Sequence, residues 1–156
     1  MKLKLLVIGK TDADYVKKGI EVYSKRLTHY CPFELVEIPD IKNSKNLSEK
    51  EQKEKEGEVI LSKLDNADWL TLLDEKGKEN SSIEFSTLLQ KRMNQGLKNL
   101  IFVVGGPYGF SDKVYNRANE KLALSRMTFS HQMVRLFFVE QLYRGFTILK
   151  GEPYHH

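Results

Sequence analysis

The sequence predicts an α/β domain: a mainly parallel sheet with helices on both of its faces. Three observations lead there. Strand-like apolar runs alternate with helix-like stretches, the order expected when parallel strands are joined by helical crossovers. The run "NLIFVVGG" is apolar enough to be a central strand, covered on both sides. The chain of 156 residues shows no internal repeat, low-complexity linker or break in composition, so residues 1–156 are expected to form one domain.

The elements follow in order. "LKLLVIG" (Leu3–Gly9) reads as a buried strand ending on a glycine. The next stretch, "TDADYVKKGIEVYSKRLTHY", has helical period, with Tyr15, Val16, Ile20, Tyr23 and Leu27 on one side, and Thr11 with Asp14 has capping-box spacing. "FELVEIP" alternates apolar and polar residues and stops at Pro39, as a half-buried strand does. The tract "KNSKNLSEKEQKEKEGE" holds five Lys and five Glu, so it is neutral and suits a solvated helix face. That helix is expected to start near Ser48, with Glu51 completing a cap, and to turn apolar only at Val59, Ile60 and Leu64. "WLTLLDEKG" (Trp69–Gly77) predicts a third strand and a turn. "SSIEFSTLLQKRMNQG" predicts a helix capped by Ser81 and Glu84 and ended by Gly96. After the strand at "NLIFVVGG", a short helix is expected from Ser111 and Asp112, then a short fifth strand at "LALSRM", then a last helix from about His131 to Lys150.

That last helix is apolar at nearly every angle: Met133, Val134, Leu136, Phe137, Phe138, Val139, Leu142, Tyr143, Phe146, Ile148 and Leu149. A helix apolar all round is buried all round. One side can lie on the sheet; the other calls for a partner, most simply a second copy, so a homodimer is expected.

Composition excludes several classes. No apolar run reaches the ~18 residues of a membrane span. The apolar stretch Leu5–Gly9 is too short for a signal-peptide core, so a cytoplasmic location is expected. Cys31 is the only cysteine, which rules out an internal disulfide and a thiolate zinc site, and it reads as a bystander. The net charge of +4 hints at a polyanionic partner. The excess sits at Lys10, Lys17, Lys18, Lys25 and Arg26, and again from Lys121 onward.

In an open parallel sheet, ligands bind at the carboxyl ends of the strands. Those ends read "LLDEKG", "VVGGPYG" and "SRMTFSH". Gly105-Gly106 lets a ligand approach the backbone, Pro107 stiffens the loop, and Gly109 permits a positive φ. A plain strand-to-helix turn would use the same residues. No G-x-x-x-x-G-K-[ST], G-x-G-x-x-G or H-E-x-x-H occurs, no metal-ligand spacing is present, and Ser125 and Ser130 lack a hydrolase elbow. His131 alone reads as a cap or packing residue. The ending "GEPYHH" has three readings: a frayed tail, the remnant of a tag, or part of a site. From the residues alone, the expectation is a basic, dimeric α/β protein with a small-molecule site near Gly105–Gly109.

Taken together, "VVGGPYGF" and "LALSRMTFSHQMVRLFFVEQLYRGFTILKGEPYHH" resemble the ribosomal large-subunit pseudouridine N3-methyltransferase family, of the SPOUT (α/β-knot) class. "MKLKLLVIGK", "KEKEGEVIL" and the overall length are similar as well. The resemblance implies a C-terminal trefoil knot, S-adenosylmethionine as methyl donor with no metal, and N3 of a pseudouridine in large-subunit ribosomal RNA of the assembled ribosome as acceptor. It carries donor binding to Leu73, Gly105, Leu124, Ser125, Arg126, Met127, Thr128 and Phe129. Where the family commonly has Pro before the histidine, this chain has Ser130, which can cap the last helix instead. Arg144 is expected to favour the N3 anion, although a solvated or dimer-bridging arginine is the alternative. His155 is expected to take the proton or orient the base, and Tyr154 to stack on the base or hydrogen-bond to it. Lys17, Lys18, Lys25 and Arg26 are candidates to hold RNA phosphates, with plain surface charge as the alternative. A rival to the methyltransferase reading is a non-catalytic ribosome-binding or assembly factor using the same basic surface.

Overall fold

The computed structural model describes residues 1–156. Five strands form one sheet in the order β2-β1-β4-β3-β5, and every neighbouring pair is parallel. The strands are β1 (Lys2–Ile8), β2 (Phe33–Ile38), β3 (Trp69–Glu79), β4 (Asn99–Val104) and β5 (Glu120–Ala123). The helices are α1 (Asp14–Leu27), α2 (Glu49–Ser62), α3 (Ser82–Asn94), α4 (Asp112–Arg117) and α5 (Met133–Leu149), with one 3-10 turn at Ser44–Asn46.

Strand side chains alternate between two faces, and each face has its own core. Leu3, Leu5, Val7, Leu100, Phe102 and Val104 meet α1, α3 and α5. Leu6, Ile8, Leu70, Leu72, Ile101 and Val103 meet Ile60 of α2 and Val114 of α4. The central strand β4 is buried from Leu100 to Val104, as its unbroken apolar run requires.

Local signals set most helix starts. Ser48, Ser81 and Ser111 are N-caps, their hydroxyls accepting from the N–H of Glu51, Glu84 and Val114. Ser81 and Glu84 form the full reciprocal box. Gly96 follows α3 with φ +69°, the left-handed conformation that glycine adopts without strain.

Four expectations are corrected. Thr11 does not cap α1; the N-cap is Ala13, with no side-chain bond. Thr11 is buried, and its hydroxyl accepts from Arg135 of α5, so a tertiary partner took the cap residue. The fifth strand lies at Glu120–Ala123, not at "LALSRM". Pairing with β3 begins at Thr71↔Glu120, and beyond Ala123 the chain leaves the sheet, with the Ser125 hydroxyl accepting from the N–H of Met127. Strand β3 does not turn at Gly77; it continues to Glu79 after an irregularity and pairs again with β5. A Cβ at Gly77 would lie 2.6 Å from the Leu122 backbone, so the close approach of these strands requires glycine there. Finally, α5 begins at Met133, one turn-like step after His131, with Ser130 accepting from the N–H of Met133.

Helix α5 sits in the groove between α1 and α3, which covers more of its circumference than one sheet face could. Phe138, Val139, Leu142 and Phe146 are buried there, while Phe137 stays 43% exposed and Met133, Val134 and Leu136 are half-buried. Gly19 of α1 and Gly145 of α5 make room for neighbours: a Cβ on either would clash with Leu136 or Leu89.

Candidate active site

The loops after β3, β4 and β5 lie side by side because these strands are neighbours in the sheet. Between them is a cavity of about 570 Å³. One side is the Gly105–Gly109 loop, bare of side chains at its three glycines, where Gly106 and Gly109 pair across a tight turn and Gly109 has φ +81°. Its apolar walls are Leu73, Val104, Leu122, Leu124 and Val134. Gly105 cannot gain a side chain freely, since a Cβ would lie 3.1 Å from the Phe110 ring. The three strand ends picked out in the sequence thus meet at one cavity.

Of the residues expected to bind a donor, Leu73, Gly105, Leu124, Ser125, Met127, Thr128 and Phe129 line this cavity. Arg126 is not in the lining; its side chain is exposed and sits 3.6 Å from Glu79. Met127 is largely exposed at the cavity mouth, and Phe129 packs against Phe137 of α5 with ring centres 5.2 Å apart.

Sequence reasoning passed over several lining groups. Asp74, Glu75 and Tyr115 stand at the rim, and Tyr115 Oη donates to Asp74 Oδ2 at 2.5 Å. Burial, then that hydrogen bond, pushes the Tyr115 phenol well up. His131, read as a cap or packing residue, also lines the cavity. Arg135 carried no signal because it lies within an apolar run. It is 1% exposed and holds the site's frame, donating to the carbonyls of Ile8, Gly9 and His131 and to the Thr11 hydroxyl at 2.7–3.0 Å. Burial lowers its pKa, but four acceptors compensate the charge.

The chain end is folded. Gly151, with φ +65°, turns the chain after α5: its N–H donates to the Ile148 carbonyl, and the Glu152 N–H donates to the Thr147 carbonyl. This is a Schellman cap, signalled by the glycine. Tyr30 Oη then ties down Glu152 at 2.5 Å, and burial together with this contact raises the Tyr30 phenol to about 12.

Tyr154, Arg144 and His155 come together on α5. Arg144 donates to Glu140 Oε1 from Nη2 at 2.6 Å and from Nε at 3.1 Å. Tyr154 Oη donates to the same oxygen at 2.9 Å. Arg144 also reaches His155 Nδ1 at 3.3 Å. Arginine can only donate, so Nδ1 accepts and the ring proton is on Nε2. The hydrogen bond to Glu140 raises the Arg144 pKa, and burial followed by contacts with Tyr23 and Glu140 raises that of Tyr154. Tyr143 packs edge-on against Tyr154 with centres 4.8 Å apart. His156 is exposed and makes none of these contacts.

This cluster is not part of the cavity lining in the same chain. The cavity touches α5 at Val134, whereas Arg144 is ten residues further on, about 15 Å along the axis. Lys17, Lys18 and Lys25 are exposed on α1. Arg26 is different: its guanidinium sits 5.6 and 5.5 Å from the ring centres of Tyr23 and Tyr143, beside the tail cluster. No helix is long and apolar enough to cross a membrane.

Comparison with known proteins bears on this arrangement. The family model described as "Predicted SPOUT methyltransferase" matches residues 1–155. Proteins named "Ribosomal RNA large subunit methyltransferase H" are similar along the whole chain. That of Parabacteroides distasonis is 64% identical over 156 residues, covering 100% of this chain and 99% of the relative. That of Christiangramia forsetii has the same identity and coverage. That of Cytophaga hutchinsonii is 60% identical, with both chains covered completely.

Proposed function

Because this chain belongs to the SPOUT methyltransferase family, we propose that it methylates large-subunit ribosomal RNA, taking the methyl group from S-adenosylmethionine and placing it on N3 of a pseudouridine in the assembled ribosome. The names of the full-length relatives support the ribosomal substrate. The observation that carries the donor assignment is the cavity of about 570 Å³, with the glycine loop on one side and apolar walls. Its backbone N–H and C=O groups suit the edge of an adenine and an amino-acid moiety, and Leu73, Leu124 and Met127 suit its flat faces. The C-terminal knot is implied by the family.

The donor, when bound, supplies an electrophilic methyl group on a sulfonium. The loops at 105–109 and 124–129 hold it in place, and alignment with the acceptor is worth roughly 7–11 kcal/mol. Arg144 faces the negative charge that builds on the acceptor ring as N3 loses its proton. Glu140 aims the guanidinium and keeps it charged. His155, with its proton on Nε2, orients a ring carbonyl by donating to it, and the N3 proton passes to solvent. Tyr154 stacks on or hydrogen-bonds the base. Lys17, Lys18 and Lys25 neutralise RNA phosphates.

The site is incomplete in one chain, because the tail cluster and the cavity are separate. A homodimer resolves this: the tail of one copy completes the cavity of the other. The partly exposed stripe of Met133, Phe137, Glu140 and Arg144 on α5 supports such an interface.

The test is methyl transfer from labelled donor to ribosomes lacking the modification, with the labelled nucleotide mapped. The expected product is one methylated pseudouridine in the large-subunit RNA. Ribosome association without transfer or donor binding would instead favour an assembly factor. Light scattering tests the dimer; a monomer at working concentration would overturn the shared site.

A further inference from the structure

Glu56 of α2 is 3% exposed, and its Oε2 is a buried side-chain oxygen without a hydrogen-bond partner. Its other oxygen accepts from Gln52 Nε2 at 3.0 Å. A buried polar atom left unpaired is costly, so its retention points to a use. The carboxyl is pressed against the back of the glycine loop. A Cβ built on Gly106 would lie 2.3 Å from Oε2 and 2.7 Å from Oε1. A side chain at 106 would therefore displace the Glu56 carboxyl from the loop. The next residue, Gly57, lets α2 approach the start of α4 equally closely, since a Cβ there would lie 2.4 Å from Ser111 Oγ and 3.1 Å from Val114. Two adjacent residues of α2 therefore fit two glycine-dependent contacts, one on each side of the Gly106–Ser111 loop.

We propose that Glu56 is a positioning residue for donor binding: its carboxyl, wedged behind Gly106, holds the Gly105–Gly109 loop in the shape that lines the cavity. The inference rests on the donor reading above and deepens it.

Burial of the wedge favours its uncharged form. Burial, above all, raises the Glu56 pKa, the bond from Gln52 opposes this, and Asp40 adds to the rise. Asp40, from the segment after β2, is the charged group bearing on it. The glycine loop offers no charge, and on α4 the contacts at Gly57 are Ser111 and Val114, with Asp112 and Lys113 exposed. The sign follows. A carboxyl with a raised pKa stabilises its surroundings below its ordinary range, and that stabilisation is lost as pH rises through the raised value. Ionised, Glu56 would have no cation to meet it and would push the loop away from its bound shape.

The test is calorimetric binding of S-adenosylmethionine and S-adenosylhomocysteine to the full chain, from about pH 5 to pH 9, with folding checked by circular dichroism. Wild-type affinity should weaken toward alkaline pH. Glu56→Gln, neutral and of the same shape, should bind with a flatter pH profile. Glu56→Ala should bind about tenfold more weakly throughout. A folded Ala variant that binds like wild type would overturn the inference, as would identical pH profiles for wild type and Glu56→Gln. If Glu56→Ala does not fold, the Gln comparison still decides. If Glu56→Gln itself does not fold, Glu56 is a packing residue and the inference fails. Absence of donor binding by wild type would instead defeat the donor reading, and this inference with it.

Discussion

Arg144 and Tyr154 are stacked, the guanidinium carbon 4.7 Å from the ring centre, and both donate to a single oxygen, Glu140 Oε1. A cation held over an aromatic face and tied to a carboxylate is a prepositioned group, because its rotamer freedom is already spent. The tail cluster therefore holds its charge and its ring in place before any substrate arrives.

Arg144→Ala and His155→Ala should each keep donor affinity and lose about 100-fold or more in methyl transfer to ribosomes. Calorimetry with the donor and labelled transfer measure the two properties separately. Wild-type turnover in both variants would remove these residues from the mechanism. Deleting His156 alone should leave turnover unchanged, since it touches nothing in the cluster.

Glu140→Ala should loosen Arg144 and Tyr154 together. Loss of three bonds to the carboxylate at a half-buried site should lower stability by about 1–2 kcal/mol. It should also lower turnover while donor affinity holds. Urea titration and the same transfer assay check both, and an unaffected turnover would mean that the tail does not need Glu140 to aim it.

Replacing Lys17, Lys18 and Lys25 together by alanine should weaken ribosome association and reduce the salt slope by about one for each phosphate no longer neutralised. The measurement is sedimentation with ribosomes across a salt series. An unchanged slope would make these lysines plain surface charge.

Arg135→Met should destabilise the fold by about 3 kcal/mol or more, because the carbonyls of Ile8, Gly9 and His131 would lose a buried charged donor. Arg135→Lys should recover only part of this, since one ammonium cannot span the same acceptors. Denaturant midpoints decide it.

Cys31 is buried, and burial raises its thiol from 9.0 to about 11. The folded state keeps this proton longer than the unfolded state. Its contribution to stability is therefore complete below about pH 9 and is lost as pH rises toward 11. Alkylation of the native thiol at neutral pH should be about 100-fold slower than in guanidinium. Equal rates would show that the site opens freely.

Elements whose signal is local are legible in the residues themselves. The caps at Ser48, Ser81 and Ser111, the alternation of β2, the apolar run of β4 and the glycine loop depend on residues a few positions apart, and the chain follows them. Thr11 shows the limit: its capping spacing is real, but Arg135, 124 residues away, offered a buried bond that a solvent-exposed cap does not match. Likewise, "LALSRM" has a strand's composition, yet its second half becomes cavity wall because β3 offers pairing only as far as Ala123.

The sequence by itself determined the α/β class and the strand ends that meet at one cavity, and it left "GEPYHH" with three readings. Only the tertiary structure decided three further points: that Glu56 stands behind Gly106, that Arg135 pins α5 to the end of β1, and that the tail cluster lies away from the cavity of its own chain. Each joins residues roughly fifty or more positions apart in sequence or depends on where a helix end falls in space. Neither periodicity nor motif spacing carries that information, because both report neighbours along the chain, whereas packing of α2 and α5 against the sheet sets neighbours across it.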